Sequence, residues 1–89
     1  MNYFQILKKG ENFLKKSKIS NPFLDTELIL SKVLKRKREE ILLNINNKLK
    51  NEEIFRFNYY LSKTYISKNA YNQEYMPLVL FAVFLINNH

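Results

Sequence analysis

The chain has 89 residues, 46% of them hydrophobic, and a net charge of +7. That length holds one small domain, and the apolar content excludes global disorder. There is no cysteine, which excludes a disulfide scaffold and a thiolate metal site, and the single histidine is the terminal His89. Residue chemistry therefore nominates no catalytic, cofactor-binding or metal-ligating residue. Met1-Asn2-Tyr3 lacks the basic start of a signal peptide. The longest apolar run, 76–86, falls short of the ~20 residues a membrane span needs. The expectation is a soluble cytoplasmic protein with no membrane contact. The basic excess fits a nucleic-acid or acidic-protein partner. It fits equally an A/T-biased coding sequence, rich in lysine, asparagine and isoleucine.

The first predicted helix runs from about Asn2 to Lys16. Phe4, Leu7, Phe13 and Leu14, with Tyr3 and Ile6, form its apolar face, and lysines populate the other. Gly10 inside it costs up to ~1 kcal/mol relative to alanine, which is tolerable if a neighbouring helix approaches closely there. Ile19, in the connector Ser17–Ser20, is placed to pack under the next helix.

The second helix, from Pro22 to Leu34 or Lys35, organises the rest. Asn21 is expected as a side-chain N-cap and Pro22 as the first helical residue. Asp25 and Glu27 put negative charge near the positive end of the helix dipole. Leu24, Leu28, Ile29, Leu30, Val33 and Leu34 form a wide apolar face. The basic run Lys35, Arg36, Lys37 and Arg38 follows, where cations suit a helix end. A short third helix is expected over Lys37–Leu43 with Ile41, Leu42 and Leu43 inward, then a loop at 44–47. A further helix begins near Asn51 as N-cap, with Ile54, Phe57, Tyr60 and Leu61 inward and Phe55 and Tyr59 flanking. From Thr64 the chain loses its period, and 76–86 is almost wholly apolar; within it 78–86 is read as a buried helix, the alternative being a β-prone strand without a partner. The fold class is all-α, a bundle of four to five short helices, with 1–63 as the domain and 64–89 as a divergent tail.

The block Asp25-Thr26-Glu27-Leu28-Ile29-Leu30-Ser31-Lys32-Val33-Leu34 resembles the D-A-E-L-L-L-A-x-V-L signature of the release factor glutamine methyltransferases, the HemK family. Leu14 to Pro22 resembles the leucine, glycine–isoleucine turn and proline that precede it. Arg38 falls where the family often opens its short helix with arginine, and Leu42 and Leu43 follow. Glu53 and Phe57 match the glutamate and phenylalanine of the last helix. The resemblance covers about Tyr3 to Lys63. It implies a helical N-terminal domain that helps dock a peptide-chain release factor, whose Gly-Gly-Gln glutamine a following domain methylates with S-adenosylmethionine. That catalytic half, with its Gly-rich loop and Asn-Pro-Pro-Tyr motif, has no counterpart here, and Gly10 is the only glycine. This chain alone is therefore expected to bind no cofactor and to be no enzyme.

The family pattern stops after Lys63. Codons for 64–72, read one base later, can give Arg-Ile-Ser-Gln-Lys-Met-Pro-Ile, close to the family's continuation. A slip of reading frame near Thr64 is thus one expectation for the tail. The partner surface is expected to be basic: Lys35, Arg36, Lys37 and Arg38 with Arg56. The family-pattern positions are Asp25, Glu27, Leu28, Leu30, Val33, Leu34 and Arg38. The leading expectation is a release-factor-binding domain. The alternatives are a basic RNA- or ribosome-associated module, and a gene fragment without function. Oligomeric state is left open.

Overall fold

The computed structural model describes residues 1–69. The helix expected over 78–86 lies outside the described residues. Four helices follow in order: α1 (Tyr3–Lys16), α2 (Pro22–Leu34), α3 (Arg38–Leu43) and α4 (Asn51–Asn69). α2 is central, packing against α1, α4 and α3. The described residues form no named strand, only an isolated antiparallel bridge between Asn2 and Lys48. The small all-α bundle expected from the sequence is what forms.

A reciprocal cap opens α1. The Asn2 side chain accepts from the Gln5 amide at 2.8 Å, and the Gln5 side chain accepts from the Asn2 amide at 2.9 Å. The next two amides find acceptors across the bundle: Tyr3 donates to the Asn47 carbonyl at 2.9 Å and Phe4 to Ile45 at 3.0 Å. Amides that a helix start leaves unpaired are thus closed by the α3–α4 loop. Tyr3, Ile6, Leu7, Gly10 and Leu14 form the buried stripe. Phe4, expected on that face, is half exposed, because it lies about 100° round the helix from the stripe.

α1 ends in a left-handed turn at Lys18 (φ 59°). The Ile19 amide returns to the Leu14 carbonyl at 3.2 Å and the Lys18 amide to Lys15 at 3.1 Å. This is the Schellman pattern, and Ile19 and Leu14, the two positions it places for an apolar contact, are both buried in the core. Lys18 therefore occupies a position that favours glycine.

α2 departs from expectation in two ways. Asn21 is left-handed (φ 55°) and its side chain makes no capping hydrogen bond. The following proline disfavours the right-handed helical region, and asparagine tolerates the left-handed one well, so its backbone freedom is used and its side-chain oxygen is not. The buried stripe is also rotated. Thr26, Glu27, Ile29, Leu30 and Val33 face inward, whereas Leu24 and Leu28 are partly exposed. Thr26 can be buried because its hydroxyl donates to the Pro22 carbonyl at 2.7 Å.

In α3 only Ile41 is buried, and Leu42 and Leu43 face solvent. Six residues make fewer than two turns, so one inward position is all the helix offers. At the start of α4, Lys50 and not Asn51 precedes the first turn. The Glu53 side chain accepts from the Lys50 amide at 2.7 Å. Phe57 and Leu61 are fully buried, Ile54 and Tyr60 pack at the margin, and Phe55 and Tyr59 are exposed. α4 continues through Thr64, where the sequence changes character, and Tyr65 packs on Phe13 with ring centroids 5.4 Å apart.

Three helices meet at Gly10. A Cβ there would sit 2.7 Å from Thr26 Cγ2 and 2.9 Å from Phe57 Cζ. Both neighbours are fully buried, and Thr26 is held by its hydrogen bond. Alanine would gain about 1 kcal/mol of helix propensity. Overpacking at such a crossing costs about 1–3 kcal/mol. Gly10→Ala is therefore expected to lower stability by up to about 2 kcal/mol in urea titration, the balance of those two effects. A gain of stability would mean that the crossing is looser than drawn.

Candidate partner-docking site

A groove of about 850 Å³ opens between the end of α1, the start of α2 and α3. Its apolar walls come from Ile19, Phe23, Leu24 and Leu42, and its polar residues include Glu11, Lys15, Glu27 and Arg38. Phe23, Leu24 and Leu42 are 41%, 38% and 46% exposed, so apolar surface faces solvent from two helices at once. The start of α2 and the one-sided α3 position them.

An ion pair borders this groove. Arg38, first residue of α3, donates from Nη2 to Glu27 Oε1 at 2.9 Å. The Glu27 side chain is 5% exposed and that of Arg38 42%. Arg38 Nε is buried with no hydrogen-bond partner among the described residues. Glu27 is thus an inward carboxylate neutralised by a cation from the next helix, and not a solvated dipole-compensating one. Asp25 alone keeps the first-turn role.

The expected basic surface is divided. Lys35, Arg36 and Lys37 are exposed, but Arg38 turns inward to Glu27. Arg36 is drawn toward Glu40 at 3.8 Å. Arg56 lies exposed on α4, on a different helix. Of the family-pattern positions, Leu30 and Val33 are core, Leu34 packs beside it, and Leu28 and Asp25 line a second cleft of about 480 Å³ between α2 and α4. Two lysines sit over tyrosine rings on that side. Lys32 Nζ is 4.4 Å from the Tyr60 centroid and Lys63 Nζ 4.7 Å from that of Tyr59. Side-chain hydrogen bonding with Tyr59 holds the Lys63 ammonium above its ordinary range. Burial pushes Lys9 down, where its ammonium donates to Asn58 at 3.4 Å.

Sequence reasoning missed Phe23, Leu24 and Leu42 as surface residues. The signal was an excess of apolar side chains over inward positions: three at 41–43 for a single buried site, and two directly after Pro22.

The arrangement offers an apolar groove with a charged margin; among the described residues no group of three or more acidic or histidine side chains lies close enough to hold a metal. No described helix is long and apolar enough to cross a membrane. Comparison with curated proteins and with solved structures gives no significant match. The family model of the PrmC N-terminal domain matches residues 5–64, about two thirds of the sequence, spanning α1 to α3 and most of α4. The chain belongs to that family, the N-terminal domain of release factor glutamine methyltransferases.

Proposed function

We propose that this chain is a substrate-recognition domain that binds a peptide-chain release factor and does not itself catalyse methyl transfer. The observation that carries the reading is the family match over 5–64. The structure adds surface suited to protein docking: partly exposed phenylalanine and leucine side chains bordered by lysine and arginine. Such patches on a small domain mark interaction sites.

The family's cofactor, S-adenosylmethionine, does not fit the residues present. Its loop needs glycines where backbone approaches the ligand. The only glycine here is Gly10, enclosed between Thr26 and Phe57 inside the bundle. No step of the methylation is therefore assigned to this chain. A cytoplasmic location follows from the same reading, since release factors act on ribosomes.

The charge of +7 favours one competing reading, an RNA- or ribosome-binding module. Calorimetric titration of the full chain with a purified release factor separates the two. A protein-docking domain should retain binding at moderate salt. An RNA-binding module should bind single-stranded RNA, with affinity falling steeply as salt rises, and should ignore the release factor.

A further inference from the structure

We infer that the groove between α1, α2 and α3 is the release-factor docking surface, and that it takes an acidic protein segment anchored by a bulky apolar side chain. The inference rests on the release-factor reading and names the surface and chemistry that reading leaves open.

Three observations converge on it. First, Phe23, Leu24 and Leu42 reach the groove from two different helices and remain partly exposed. An apolar anchor inserted between them would remove all three from water at once. On α4, by contrast, exposed Phe55 and Tyr59 lie along one helix, and Tyr59 already carries Lys63 over its ring.

Second, the charge at the groove is complementary to acid. Its two carboxylates are occupied: Glu27 by Arg38 at 2.9 Å, and Glu11 by Lys8 at 3.5 Å. Lys15, which lines the groove and is exposed, makes no ion pair among the described residues. The Lys15 ammonium left over at the margin can meet a carboxylate of a partner, while the neutralised floor does not repel it.

Third, the walls are held in place. The Schellman turn seats Ile19 under the groove, and the Glu27–Arg38 pair ties α3 to α2. A docking segment would meet a preformed surface and need order little of it.

The test is titration of purified release factor with the full chain and three variants, each checked for an unchanged helical spectrum. Leu42→Asp should weaken binding at least tenfold, and Leu42→Ser serves if aspartate disturbs α3. Lys15→Glu should weaken it severalfold at low salt, and less as salt rises. Phe55→Asp, on the far helix, should stay within twofold. If Leu42 and Lys15 variants bind like the parent, or Phe55→Asp is the damaging change, the groove is not the docking surface while the release-factor reading stands. If single-stranded RNA competes for binding and Leu42→Asp is silent, the surface belongs to nucleic acid. Failure of the parent chain to bind release factor at all overturns both.

Discussion

Phe57→Ala should bring the chain to the edge of unfolding at 25 °C. Phe57 has no exposed surface, and its ring tip abuts the Gly10 crossing where α1, α2 and α4 meet. Truncating a buried phenylalanine costs about 3–5 kcal/mol, transfer loss and cavity together. A domain of this size has total stability at the low end of the ordinary range, about 5 kcal/mol. The loss is therefore comparable with all there is. Circular dichroism should show up to about half of the helical signal gone in buffer, with recovery in a stabilising osmolyte. Phe55→Ala is the control, because Phe55 is 65% exposed on the same helix. Its effect should stay within about 0.5 kcal/mol, as for surface changes generally. Equal damage from both would mean that aromatic content of α4 matters and the Gly10–Phe57 contact does not.

Arg38→Ala is expected to be the next most damaging change. It removes the cation from a carboxylate that is only 5% exposed. Breaking a buried pair by removing one partner costs about 3–5 kcal/mol when the other charge is fully buried. Arg38 is partly solvated, so water would reach Glu27 through the space it vacates, and about 2–4 kcal/mol is the expected loss. Order within a variant set is the sharper test. Glu27→Gln leaves behind an arginine that can turn to solvent, and should cost about 1–2 kcal/mol. Arg38→Lys should lie below Arg38→Ala, because only Nη2 bonds the carboxylate and a lysine ammonium can replace one point contact. If Arg38→Ala proves as mild as Glu27→Gln in urea titrations, Glu27 is not held by its charge partner.

Much of this was legible beforehand, for reasons that differ by residue. Gly10 was readable as a close approach because an unforced glycine inside an amphipathic helix wants a packing reason, and Thr26 with Phe57 supplies it. Ile19 was readable because one apolar residue in a polar connector has few places to go. Asn21 was misread, since proline and asparagine act there through backbone conformation and not through a side-chain acceptor. Leu24 and Leu28 were misread because a helix this apolar has no single best face, and the neighbours chose the one holding Thr26 and Glu27. The Glu27–Arg38 pair was beyond periodicity altogether. Both residues stood out as family-pattern positions, but pairing across a loop depends on how α3 folds back on α2. Glu53, another family match, closes the Lys50 amide and so has a structural reason of its own.

The strapping of α1 to the α3–α4 loop bears on how the chain is made. The amides of Tyr3 and Phe4 are satisfied only by carbonyls of Asn47 and Ile45, and the carbonyl of Met1 receives the amide of Leu49. α2 covers most of the face of α1, and Phe57 on α4 closes over Gly10 later still. A nascent chain emerging from the ribosome at about 5–20 residues per second must therefore carry α1 for seconds with its Asn2–Gln5 cap in place but the Tyr3 and Phe4 amides still open. Closure comes in steps, first from the 45–49 loop and then from Phe57 on α4. For that interval the growing polypeptide shows chaperones the very stripe, Ile6 to Leu14, that the finished domain hides.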